Sequence, residues 1–134
     1  MISYEVSIVG AVAAAVATFV LGFIWYGPLF GKQWMQYMGV KEQDMKKGNM
    51  PMAMAGGLVT SFIGAYVLGI FLETAVSSDL MTALMVGFLA WLGFQATILA
   101  GSVLWEMKPI NLFVLNAAYQ LAAALMMSAI LFYL

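Results

Sequence analysis

Residues 6–26 read VSIVGAVAAAVATFVLGFIWY, and no acidic or basic side chain interrupts them. A helix rises about 1.5 Å per residue, so a stretch of this length matches the ~20 apolar residues that cross the hydrocarbon core of a bilayer. A membrane-spanning β-strand is shorter and alternates apolar with polar positions, which this stretch does not. The segment reads as a transmembrane helix.

The same reading extends outward to three more stretches, Met52–Leu72, Leu80–Trp105 and Ile110–Leu134. Of the 134 residues, 65% are hydrophobic and 8% charged, against roughly half and about a quarter in a soluble domain. A soluble chain this short leaves too much of its surface exposed to hide so much apolar area. The expected fold is therefore an all-α integral membrane protein, a single membrane domain of four transmembrane helices. Pro51 and Pro109 fall where a first helical turn needs no N–H, and Pro28 marks the exit of the first span. Ser77, Ser78 and Asp79 offer capping groups and negative charge at the start of the third.

All the basic residues are lysines, and they segregate. Lys32, Lys41, Lys46 and Lys47 lie in the long connection Gly27–Pro51, and Lys108 lies in the turn between the third and fourth spans. The other side carries Glu5, Glu73 and Asp79 and no base. By the positive-inside rule the lysine side is cytoplasmic and both termini are outside, as in a multi-pass protein of a bacterial inner membrane. Trp25, Tyr26, Trp105 and Tyr133 fall near the two interfaces, where amphipathic rings are favoured.

Within the long connection Phe30, Trp34, Tyr37 and Met38 recur at helical spacing, with Lys32, Gln33, Gln36 and Lys41 on other faces. This pattern predicts a short amphipathic helix over residues 29–39 in the headgroup layer, ended by Gly39. Together with Lys46 and Lys47, the residues Phe30, Lys32, Trp34, Tyr37 and Lys41 form a candidate surface for lipid or a partner. A plain lysine-bearing loop anchored by aromatics is the more ordinary reading of the same residues.

Composition excludes much chemistry. The chain has no Cys and no His, so the usual zinc, iron–sulfur and haem ligand sets are missing, and so are Ser-His-Asp and Cys-His arrangements. No metal, cofactor or catalytic residue is expected, and the twelve Met read as fillers of apolar space. With a net charge of −1 there is no basic field for nucleic acid.

Polar residues inside the spans are the remaining candidates. Trp91, Gln95, Ser102 and Glu106 share a face of the third span, and Asn116, Tyr119 and Gln120 cluster in the fourth. An amide in hydrocarbon must find a partner. These groups read either as interhelical hydrogen bonds or as the wall of a polar cavity or path. Small residues recur every four positions as Gly10, Ala14, Thr18 and Gly22, as Gly56, Thr60 and Gly64, and as Gly93, Thr97 and Gly101. Such stripes permit close backbone approach, within one bundle or between copies. Because four short helices enclose little interior, self-association is expected.

The stretch LGFIWYGPLFGKQWM from Leu21 to Met35, closed by Met38-Gly39, resembles the opening signature of the membrane family catalogued as domain of unknown function 1761. The resemblance continues through Trp91–Phe94, Trp105–Pro109 and Asn116–Leu121. It implies a small multi-span membrane protein, chiefly bacterial, with no assigned activity and no residue roles to carry over. Gln120 stands where the family leads one to expect His, and Lys108 where Arg is common.

Three functions compete. A non-catalytic homo-oligomer that binds or passes a small solute, ion or lipid would bring Gln95, Asn116, Tyr119 and Gln120 to a common cavity. A structural or adaptor protein would have a solid bundle and act through the long connection. An intramembrane enzyme would need Ser102, Glu106 and Lys108 to converge, and without His, Cys or a deep acid this is the least favoured reading.

Overall fold

A computed structural model describes residues 1–45, 48–76 and 78–134. Lys46, Lys47 and the expected cap Ser77 lie outside the described residues. The chain forms α1 (Ile8–Ile24), extended by a π-helical segment (Trp25–Leu29), then α2 (Gly31–Met38) and α3 (Glu42–Met45). There follow α4 (Met50–Thr74), α5 (Leu80–Trp91), a second π-helical segment (Leu92–Ala96), α6 (Thr97–Leu104) and α7 (Ile110–Tyr133). No strand occurs among the described residues. Four continuous helices are long and apolar enough to cross a membrane, Ile8–Leu29, Met50–Thr74, Leu80–Leu104 and Ile110–Tyr133.

Local chemistry sets the helix ends. Ser7, Asn49 and Asp79 cap α1, α4 and α5 by accepting from the N–H groups of Gly10, Met52 and Thr82, each relieving one orphan donor of a first turn. Hydrogen bonding from Thr82 holds the exposed Asp79 carboxyl below its ordinary range. Gly39 ends α2 with φ of +72°, the left-handed conformation that costs glycine little. Pro109 is the residue before α7 rather than one inside its first turn.

The helix of the first span runs one residue past Pro28. Proline cannot donate to a carbonyl one turn back, and in an α-helix its ring clashes with that carbonyl. Here the helix widens, and Phe30 N–H reaches the Trp25 carbonyl five residues earlier, at 2.9 Å. The wider turn accommodates the proline, and the span continues to Leu29.

Burial runs opposite to that of a water-soluble bundle. Large side chains such as Val9, Val12, Val16, Val20 and Phe23 on α1 and Met81, Met85 and Leu89 on α5 are exposed. The interior is lined mainly by Ala and Gly, and the largest side chain buried to under 2% exposure is Ser128. Helices in lipid gain no hydrophobic advantage from contact and associate through close backbone packing instead, which small residues allow. The large apolar side chains are then left to face the acyl chains.

A closely packed cluster lies in the half away from the lysines. Ala11, Ala14, Ala65, Leu68 and Met127 form its core, with Val6, Phe62, Val86, Ala90, Ile130 and Leu131 against them. Residues before α1 strap across this end, where Ser3 N–H donates to Thr74 Oγ1 at 3.0 Å and the Tyr66 hydroxyl to the Tyr4 carbonyl at 3.4 Å. A Cβ at Gly69 would lie 2.6 Å from Val6 Cγ1.

Only one of the three small-residue stripes serves this packing. Gly10, Ala14 and Thr18 are buried, but a Cβ added at Gly56, Gly64 or Gly93 would meet nothing within 4 Å. On α4 and α5 the contacts run instead through Ala65, Leu68, Gly69 and Leu72, and through Ala83 and Gly87. These helices have small residues on more than one face, so spacing alone does not select the face used.

Gly87 makes the tightest crossing. A Cβ there would overlap Ser128 Oγ and lie 3.0 Å from the Ala124 carbonyl oxygen. Gly87→Ala is expected to cost about 1–3 kcal/mol as overpacking, with part recovered by adding Ser128→Ala. Gly64→Ala, facing open space, is the control. Thermal unfolding in detergent checks this, and equal stability of the two glycine variants would refute the crossing.

Candidate functional site

In the lysine half the four spans diverge. α1 packs on α4 and α7, and α5 packs on α7, but α4 makes little contact with α5 and, among the described residues, no substantial contact with α6. The divergence leaves a cavity of about 1110 Å³ walled by all four spans. Small-molecule sites commonly fall at about 300–1,000 Å³, so this one lies at the large end. Its α4 wall extends from Met50 to Phe71, about 30 Å of helix at about 1.5 Å per residue.

Most of the wall is apolar, including Phe19, Phe23, Phe94, Met54 and Met127. Thr60 and Ser61 lie on the α4 wall, Thr60 donating to its own helix at the Gly57 carbonyl. The remaining polar groups lie on the face formed by α1, α7 and the second π segment. Gln95 Nε2 donates to Gln120 Oε1 at 3.3 Å, and Trp91 Nε1–H to the Ala117 carbonyl at 2.9 Å. The Tyr119 hydroxyl donates to the Thr18 carbonyl at 3.1 Å. Gly22 permits that reach, since a Cβ there would lie 2.9 Å from the Tyr119 oxygen. Thr18 is 5% exposed, and its hydroxyl has no hydrogen-bond partner. Trp25 Nε1 is likewise buried without one. Buried polar groups are usually paired; among the described residues the Thr18 hydroxyl is not, and although Thr18 borders the cavity its oxygen is closed off from it.

At the lysine end of the cavity the aromatic rings interlock. Tyr26 packs edge-on against Tyr119 at 5.1 Å and Trp34 at 6.3 Å, while Trp25 meets Phe30 at 4.9 Å and Tyr119 at 6.0 Å. The Tyr26 hydroxyl donates to Asn116 Oδ1 at 2.7 Å, tying the π-helical end of the first span to α7. Gly31 allows α2 to turn back close to this segment, since a Cβ there would lie 2.6 Å from the Tyr26 carbonyl oxygen. A smaller cavity of about 300 Å³ lies alongside, lined by Tyr26, Gly27, Gly31, Lys32, Trp34 and Met35.

Gln95, Tyr119 and Gln120 thus line one cavity, and Asn116 anchors Tyr26 on its wall. Ser102 donates to its own helix at the Leu99 carbonyl, and Glu106 is exposed in the turn after α6. Neither lines the cavity. Phe30 and Trp34 contact Trp25 and Tyr26, Tyr37 is half-buried, and Lys32 and Lys41 are exposed. Sequence reading missed Thr18 as a cavity residue, having placed it only in a packing stripe, and it gave Tyr26 only an interfacial role. Both π-helical segments border the cavity, and such segments often accompany functional sites.

Against known proteins, one family model matches residues 9–132, that described as protein of unknown function, DUF1761. The chain belongs to this family. The match covers nearly the whole chain, so the four spans and both polar clusters fall within the family's extent. No curated protein matches the chain, and no solved structure does.

If Tyr26 and Asn116 hold the cavity's end together, Tyr26→Phe and Asn116→Leu should each destabilise the protein. Their effects should be coupled by about 0.6–1.7 kcal/mol, the range for hydrogen bonds between membrane helices. A double-mutant cycle by unfolding in detergent measures the coupling, and strict additivity would contradict the bond.

Proposed function

We propose that the protein is a non-catalytic membrane protein that binds a lipid-like amphiphile within its bundle. The observation that carries this reading is the large cavity walled by all four spans, apolar over most of its surface with a few polar side chains among them. A site of this kind binds by apolar contact and orients its ligand with a few polar groups. Because α4 and α6 make no substantial contact among the described residues, that side of the cavity is open for a ligand to enter from the lipid. Binding, or delivery from one leaflet, fits that shape better than an open pore.

The wall residues supply no catalytic set. An adaptor acting through the long connection calls for a filled bundle, which this one is not, and two of the aromatics in that connection contact the bundle's own end. The proposal includes a bacterial inner membrane, a cytoplasmic lysine side by the positive-inside rule, and α2 lying in the headgroup layer. It also includes self-association, supported by the exposed lysine-side half of α4 with Gly56 unpacked.

Filling the cavity tests the reading. Gly64 lies on its wall with nothing within 4 Å of an added Cβ, so Gly64→Trp should occupy the space without disturbing the core. Native mass spectrometry of the purified protein should show a bound lipid-sized mass that Gly64→Trp loses while keeping its melting temperature. Absence of any such mass, or its full retention in the variant, would count against the proposal.

A further inference from the structure

We infer that the amphiphile held in the cavity is uncharged, a hydrocarbon chain ending in a hydroxyl-bearing or other neutral hydrogen-bonding group; this rests on the binding reading above. Among the described residues, none that lines the cavity is acidic or basic. An ionised headgroup inside it would lose its water without gaining a counter-charge, and buried charges persist only when paired. The nearest lysine on a cavity wall is Lys32, which belongs to the smaller neighbouring pocket and is exposed. Tyr26 and Gly27 line both spaces and divide them.

The polar face has the composition a neutral headgroup requires. Each amide of the Gln95–Gln120 pair uses one group on its partner, which leaves an acceptor on Gln95 and donors on both. A hydroxyl, which offers both a donor and acceptors, satisfies this mixture. A phosphate or carboxylate offers acceptors alone.

Depth points the same way. Thr18 and Gln120 lie near the middle of the spans Ile8–Leu29 and Ile110–Tyr133, and Gln95 hydrogen-bonds at that level. An ionised headgroup is held at the membrane surface by the cost of leaving it. A neutral one can descend to mid-span, with the largely apolar α4 wall, interrupted by Thr60 and Ser61, beside its chain.

The full chain in phosphatidylcholine nanodiscs would be titrated with two brominated lipids, 9,10-dibromostearoyl glycerol and 9,10-dibromostearoyl lysophosphatidate. These share one chain and differ in headgroup charge, and quenching of Trp91, kept as the only tryptophan, reports occupancy. The neutral lipid is expected to saturate at about tenfold or more lower mole fraction than the anionic one. Gln120→Leu should weaken the neutral lipid several-fold and leave the anionic one unchanged, and Gln95→Lys should raise the affinity for the anionic lipid. Equal or tighter binding of the lysophosphatidate to the unsubstituted cavity would overturn the inference while leaving the binding reading intact. Saturable quenching by neither lipid would overturn both. If replacing the other tryptophans unfolds the protein, competition of the two unbrominated lipids in native mass spectra of the wild-type chain reads the same preference.

Discussion

Helices surrounded by acyl chains gain nothing by hiding apolar side chains from one another, so their backbones must come close for association to persist. The rest of the architecture follows from where that approach is possible. Around Ala11, Ala14, Ala65 and the Gly87–Ser128 crossing the backbones meet without intervening bulk. Toward the lysine side Gly56 and Gly64 are equally small, yet they face open space and the helices separate around the cavity. Small residues permit close approach without enforcing it. The polar groups on the cavity wall give that space chemical character.

The two π-helical segments adapt this plan. One carries the first span past Pro28 and brings Tyr26 to Asn116. The other adjoins Trp91 and contains Gln95, both of which hydrogen-bond to α7. Each ties a span to α7 near the cavity, so the separation of α4 from α6 is not shared by the other walls. One side of the cavity is held firmly, and the opposite side is open.

Much of the fold was legible in the sequence because the relevant signals are long and one-dimensional. Apolar runs of spanning length, Gly39 after an amphipathic repeat and the mid-span amides Gln95 and Gln120 need no knowledge of neighbours. The rest depends on three-dimensional choices that composition leaves open. Gly56, Thr60 and Gly64 look like a packing stripe as much as Ala65, Leu68 and Gly69 do, and which face turns inward depends on α1. Pro28 reads as an exit from the membrane unless the turn around it widens, a change with no mark in the residue pattern. Thr18 could be singled out only once its carbonyl was taken by Tyr119 and its hydroxyl was left unpaired.

The central claim, a bundle packed at one end and open at the other, is tested most directly by pulsed electron–electron resonance in nanodiscs. One pair of spin labels would replace Met54 on α4 and Ile98 on α6, and a second would replace Phe71 on α4 and Met81 on α5; all four side chains are exposed. The distances should be clearly longer for Met54–Ile98 than for Phe71–Met81. Equal, short distances for both pairs would describe a parallel, closed bundle and contradict the account.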